Sequence, residues 1–286
     1  VISSVTSFCP GHISGYFKPV FGEDPRTTGS MGAGIVIDEG VHVTVERADA
    51  TSVTVERVDA GGYVLESCRG SFPVEDLLSR MGARAKVLTI CRLPIGSGFG
   101  LSAAALTGTA VAVNRLYDLG FTRAECVEYA HESEILHRTG LGDVAACQGG
   151  GRDCRKGAGI DADIERCFDL KDPVFATTFS SLPSPSILGS KTVMDRIVQA
   201  FPGTCPKTPE EFFLFSRDFS EKSGLIAPQV RDGLSGCDRE GILASMTMLG
   251  NGIFAYGRDA GEILEQFGET FKLHIAMSGV RIMEES

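Results

Sequence analysis

Between Leu93 and Ala104 the periodicity of the chain changes, and that change limits the folds open to it. Upstream, Gly34–Asp38 is a short apolar run, apolar residues recur in steps of two within Val41–Glu46 and Thr51–Val58, and Tyr63–Glu66 and Lys86–Cys91 are further strand candidates. Period two belongs to strands, and Gly61-Gly62 predicts the turn of a hairpin. Downstream, Ala103, Leu106, Thr107, Ala110, Val113, Asn114 and Tyr117 share one face of a helix that reaches Leu119 and stops at Gly120. Thr122 with Glu125 three residues on predicts a capping box, opening a second helix that runs to Leu136. A third, shorter helix is expected near Gly142.

Beyond these, Gly149–Gly151 and Gly157–Gly159 bracket a hairpin that carries Arg152 and Arg155. Val174–Phe179 reads as a strand, and the Pro/Ser-rich stretch Leu182–Ser190 as a linker. Helices are expected over Ser190–Phe201, Pro209–Ser220, Gly224–Leu234, Arg239–Met248 and Asp259–Phe267, with strands at Ile253–Tyr256 and Lys272–Met277. Alternating helices and strands make the class α+β, in two domains, residues 1–170 and 171–286.

A net charge of −10 argues against a broad phosphate-backbone surface, so no nucleic-acid partner is expected. Nine cysteines, an odd number without a CxxC pair, suit free thiols in a reducing cytoplasm better than a zinc site or a disulfide framework. Val1–Pro10 lacks the basic and apolar regions of a secretory signal, and no apolar run reaches membrane-spanning length. The expectation is a soluble cytoplasmic protein, and the apolar C-terminal segment leaves room for a homodimer.

The segment Leu93-Pro94-Ile95-Gly96-Ser97-Gly98-Phe99-Gly100-Leu101-Ser102-Ala103-Ala104 lies between a strand and the strongest helix. Alternating glycines let a backbone turn tightly and approach a ligand, and a helix start presents unpaired N–H groups to an anion. A Walker A loop is excluded, since Leu101-Ser102 stands where it has Lys-Ser/Thr, and a dinucleotide fingerprint is excluded by Leu101 in place of glycine. Spacing alone leaves two readings, an anion cradle or a tight structural turn.

Taken together the motifs resemble the GHMP kinase superfamily, whose phosphate loop reads Pro-x-x-x-Gly-Leu-Gly-Ser-Ser-Ala-Ala. Here Pro94 is followed by Gly98-Phe99-Gly100-Leu101-Ser102-Ala103-Ala104, with Phe99 for the leucine and Leu101 for the first serine. The N-terminal family motif matches Pro10-Gly11-His12-Ile13-Ser14-Gly15-Tyr16-Phe17, with His12 and Lys18 where relatives carry lysine and glutamate. The acidic centre matches Glu134 and Thr139-Gly140-Leu141-Gly142-Asp143, and the third motif is echoed by Met248-Leu249-Gly250-Asn251-Gly252. Within the superfamily the likeness is to the archaeal pantoate kinases, through Gly96–Ala104, Ala130-His131-x-x-Glu134 and Thr139–Asp143.

The resemblance implies a two-domain GHMP kinase fold, an N-terminal domain shared with a ribosomal protein and a ferredoxin-like α/β C-terminal domain. It implies ATP with Mg²⁺ as cofactors and pantoate as substrate, converted to 4-phosphopantoate for coenzyme A synthesis. Homoserine or mevalonate as acceptor, or a non-catalytic metabolite-binding regulator, are the alternatives. The nucleotide would lie on Pro94, Gly96, Ser97, Gly98, Phe99, Gly100, Leu101, Ser102, Ala103 and Ala104, and Ser102 and Glu134 would hold the metal, with Glu132 as a rival. Asp143 would be catalytic, and His12, Lys18 and Arg155 would meet the substrate, Arg155 through its carboxylate. Each has a plainer reading: Asp143 as a helix cap, Glu134 as a solvent-face charge, Ser102 as a helix-start hydroxyl, His12 and His131 as structural histidines. Arg155 could sit at the surface, with Arg26, Arg138 and Arg152 competing for its role.

Overall fold

The computed structural model describes residues 2–181 and 190–286, so all of the expected linker but Ser190 lies outside the described residues. A long antiparallel hairpin begins the chain: β1 (Ser4–Val20) and β2 (Gly29–Arg47), paired from Ser4 opposite Glu46 to Val20 opposite Gly29. The pairing slips at Pro10/Gly11 and again at Ser14/Tyr16, leaving His12 between two irregularities. Such bulges bend a strand and re-aim its side chains. No strand is legible over β1 in the sequence, because Pro10, Gly11, Gly15 and Pro19 interrupt it and most of it is buried on both faces.

β3 (Ser52–Val58), β4 (Val64–Arg69) and β5 (Ala85–Cys91) extend this sheet, with β5 antiparallel to β2 and parallel to β3. A parallel pair needs a crossover, and β4 with α1 (Phe72–Arg80) supplies it. At nine residues α1 is too short to declare its period, and the sequence does not announce it. α2 (Leu101–Tyr117) lies across β1 and β2, while α1 and α3 (Arg123–Leu136) pack against it as well. Covered on several sides, α2 buries more than the one stripe expected, including Leu101, Thr109 and Ala112. The Thr122–Glu125 capping box forms in full. Then come α4 (Asp143–Cys147) and the hairpin β6 (Arg152–Arg155) and β7 (Ile164–Cys167); β6 pairs with β2, Gly34 opposite Asp153.

The second sheet is antiparallel, in the order β11 (Thr270–Leu273), β8 (Val174–Ser180), β10 (Asn251–Tyr256), β9 (Ala244–Met246). With it go α5 (Lys191–Ala200), α6 (Pro209–Ser223), α7 (Pro228–Arg239) and α8 (Ala260–Leu264). The helix expected over Arg239–Met248 is not formed. Gly241 turns the chain out of α7 at φ +67°, and the short apolar run behind it is the strand β9. Runs of that length carry no period to separate helix from strand. Tyr16 and Phe17 of β1 meet Phe219 of α6 at ring-centroid distances of 6.3 and 6.0 Å, an aromatic seam between β1 and the second set of helices. Finally β12 (Arg281–Glu285) returns to the first sheet beside β1.

Seven cysteines are free thiols as expected, but Cys154 and Cys205 are bonded, their Cα atoms 5.8 Å apart. They are 51 positions apart, on β6 and on the stretch before α6, so no spacing rule reveals them. Among the described residues no helix is long and apolar enough to cross a membrane.

Candidate active site

A cavity of about 360 Å³ is floored by the glycine loop and the first turn of α2. Gly96, Gly98 and Gly100 have φ of +74°, +85° and +62°, a region that side chains with a Cβ disfavour. Gly100 is the N-cap of α2 and no side chain caps the helix, so its first N–H groups are left to the cavity. Gly96, Gly98, Phe99, Gly100, Leu101, Ser102 and Ala103 line the cavity, with Ser102 exposed in it. Pro94, Ser97 and Ala104 do not line it. Phe99 is buried edge-on against Phe271 at 6.3 Å and anchors the loop. The Ser97 carbonyl accepts from Thr247 Oγ1 at 3.3 Å, and Met248 N–H donates to Ser14 O at 3.2 Å, so the turn before β10 is tied to loop and β1 alike. Met248 and Leu249 thereby reach the cavity wall. At its far end the wall is apolar, built from Val41, Val55, Val74 and Cys91.

Asp143 stands where this cavity meets a second, smaller one lined by Ser14, Phe17, Ser30, Arg155, Met248 and Leu249. Its carboxylate is not free to wander: Oδ1 lies 2.6 Å from His12 Nδ1. The other His12 nitrogen, Nε2, lies 2.7 Å from Asp153 Oδ1, and Asp153 in turn accepts from Arg155 Nη1. His12 was expected to touch substrate. It lines neither cavity, being sealed between two aspartates with no exposure at all. Burial alone would depress the His12 pKa, but Asp153 and Asp143 outweigh it and push it up to about 10. Burial likewise opposes ionisation of Asp153, yet Arg155 and His12 hold that carboxyl below the usual carboxylate range.

Glu134 is fully buried at the end of α3, behind the turn that carries Thr139. Its Oε1 accepts the N–H groups of Asp143 at 3.1 Å and Val144 at 3.4 Å, and its Oε2 lies 3.5 Å from His131 Nδ1. Burial pushes the Glu134 carboxyl above its ordinary value against the pull of His131, and the nearby Asp143 charge adds to the rise. A Cβ on Gly140 would stand 2.4 Å from Glu134 Oε1 and 2.9 Å from Asp143 Oδ2, so two carboxylates close on one glycine. Glu132, by contrast, turns to Arg80.

Arg155 lines the smaller cavity, whereas Arg26, Arg138 and Arg152 line neither of these two. Arg152 is buried in a forked pair with Asp169, and Arg26 is a surface residue paired with Glu128 and Asp161. Arg155 Nε is buried without a partner, and a Cβ on Gly142 would meet both it, at 3.1 Å, and Ser30 Oγ, at 2.6 Å. Lys18 lines neither cavity. Sequence reasoning missed Asp153 and Ser30. For Asp153 the one available signal is Gly34, a glycine inside a strand, which marks a close approach.

Residues 71–151 match the GHMP kinases N terminal domain. A curated pantoate kinase of Methanospirillum hungatei is 46% identical over 99% of this chain and 97% of that protein. This chain belongs to the pantoate kinases of the GHMP kinase superfamily. A second pantoate kinase, of Thermococcus kodakarensis, is 31% identical over 89% of this chain and 88% of its own. A solved structure described as a phosphotransferase related to the CoA biosynthesis pathway superposes with a TM-score of 0.81 at 25% identity, covering 98% of both chains. The two-sheet architecture above is therefore the GHMP kinase fold, and the pantoate kinase family to which the chain belongs consists of ATP-dependent enzymes acting on an alcohol group.

Proposed function

We propose that the chain transfers the γ-phosphoryl group of ATP to pantoate, giving 4-phosphopantoate for coenzyme A synthesis. The observation that carries this reading is the position of Asp143 at the junction of two cavities, one floored by the phosphate loop and one walled by Arg155. The triphosphate would lie along Gly96–Gly100, its outer oxygens on the N–H groups at the start of α2. Pantoate would lie at the junction of the two cavities, its hydroxyl on Asp143 and its carboxylate toward Arg155 and Ser30. Phosphoryl transfer asks chiefly for positioning and charge stabilisation, and Asp143 supplies orientation and a place for the hydroxyl proton.

What supports Mg²⁺ is the donor chemistry: Asp143 and the exposed Ser102 hydroxyl line one cavity as hard oxygen donors, with the buried Glu134 behind Asp143 and lining neither cavity. Ser102 and Glu134 are the proposed holders, and the ion would offset the charge of the phosphates. Lys18 and His12 are not needed as substrate contacts in this arrangement.

ADP release measured with pantoate, homoserine and mevalonate in turn tests the reading. Turnover of pantoate well above the other two supports it. Release with homoserine or mevalonate but not pantoate would overturn the substrate assignment, and no release with any would leave the regulator reading in its place.

A further inference from the structure

Leu249, in the turn between β9 and β10, has a φ of +59°. Among the described residues the other non-glycine positions with positive φ are Asp118 and Arg138, just past the ends of α2 and α3, where such backbone closes a helix. Leu249 closes no helix, and left-handed backbone disfavours a residue with a Cβ. Gly250 and Asn251, residue types that adopt it with less strain, come next in the chain. The turn is held in this shape all the same. Gly250 N–H donates to Thr247 O at 3.1 Å and Thr247 N–H to Gly252 O at 3.0 Å. Gly250 also lies so close to the phosphate loop that a Cβ would stand 2.2 Å from Ser97 O. What the strain secures is a position: Met248 and Leu249 line both cavities, at the junction where Asp143 stands.

The smaller cavity has a wall of two kinds, polar at Ser14, Ser30, Asp143 and Arg155 and apolar at Phe17, Leu141, Met248 and Leu249. Pantoate is divided in the same way. It has a carboxylate at one end, the reacting hydroxyl at the other, and two methyl groups on the carbon next to the one bearing that hydroxyl. We infer that Leu249 and Met248, backed by Phe17 and Leu141, form the face that receives the two methyl groups and so select pantoate over acceptors that lack them. This rests on the proposed transfer to pantoate and deepens it by naming the residues that read the acceptor. With the hydroxyl on Asp143 and the carboxylate toward Arg155, the methyl-bearing carbon falls between them, beside Met248 and Leu249. Homoserine offers this face no methyl group and brings an ammonium group next to its carboxylate. Among the described residues lining the smaller cavity Asp143 is the only acid, and the ammonium would approach the Arg155 guanidinium. Two missing contacts and one like charge act together against it.

The test compares pantoate with 2,4-dihydroxybutanoate, the same acid without its two methyl groups, using the whole chain and ATP. A methyl-sized contact in an apolar pocket changes kcat/KM by about 10- to 200-fold, so wild type should prefer pantoate by about 100-fold or more. Leu249→Asn puts a polar side chain on the same face and suits left-handed backbone. It should lower kcat/KM for pantoate by about 30-fold and change that for 2,4-dihydroxybutanoate by less than about threefold. Both acceptors share one nucleotide, so any effect on ATP cancels in the ratio, and a merely structural defect would lower both alike. Equal losses on the two acids in Leu249→Asn overturn the role of Leu249. Wild type that turns over both acids about equally overturns the inference and leaves the functional reading standing. Wild type that does not turn over pantoate overturns both. If Leu249→Asn does not fold, Leu249→Gly, which relaxes the backbone and deletes the side chain, is read by the same ratio, and an unchanged preference overturns the role.

Discussion

Glu134 Oε1 accepts the backbone N–H of Asp143 at 3.1 Å, so the buried carboxylate closing α3 also sets the first residue of α4. That structural role and the proposed metal role meet in one side chain, and two substitutions separate them. Glu134→Ala leaves the N–H groups of Asp143 and Val144 without an acceptor and should lower stability by about 1–3 kcal/mol. Glu134→Gln keeps an acceptor and the volume, so its melting temperature should stay nearer wild type while the Mg²⁺ concentration for half-maximal rate rises. Thermal melts and a Mg²⁺ titration of activity check both; equal Mg²⁺ requirements would remove Glu134 from the metal site.

Asp143→Asn keeps shape and removes charge. Turnover should fall by about 10²–10⁴ while ADP binding, measured by calorimetry, stays within about threefold. Loss of nucleotide affinity in step with turnover would place Asp143 in nucleotide binding instead.

Arg155 and Arg152, three positions apart on β6, should behave differently. Arg155→Lys should raise the KM for pantoate by about 100-fold and leave the KM for ATP unchanged, since an ammonium cannot reproduce a fixed guanidinium face. Arg152 forks onto Asp169 and also donates to Pro206 O at 2.9 Å, away from both cavities. Arg152→Lys should therefore lower the melting temperature with little change in either KM.

The charged His12 links stability to pH. Its pKa rises from 6.5 to about 10 on folding, so the folded state binds its proton more tightly than the unfolded chain. The resulting stabilisation is complete below the unfolded value and fades as the pH climbs through the folded one. From pH 7 to pH 10 the melting temperature should drop by at least about 5 °C. His12→Gln, though less stable at neutral pH, should lose less over that span.

What the sequence shows of this site follows the range of the interactions. The phosphate loop is contiguous, its three glycines and the helix behind it fall within one window, and Asp143 belongs to a local Thr-Gly-Leu-Gly-Asp string. Asp153 has meaning only through the register of β6 on β2, and His12 only through irregularities in β1 that look like breakers in one dimension. Glu134 reads as a residue on an open helix face because the turn that buries it comes after the helix. The Cys154–Cys205 bond is hidden for the same reason, since its two ends meet across the fold. β9 is lost to a different cause, a three-residue strand in an apolar run that suits a helix equally well.

The return of β12 to the outer side of β1 bears on how the molecule is made. Val5 meets Glu285 there, while β2 holds the other side of β1 from within the first fifty residues. On the ribosome, then, β1 carries an unpaired edge until synthesis has passed Glu285, and an open edge is a template for other chains. A nascent or truncated chain ending before Arg281 should be the aggregation-prone form.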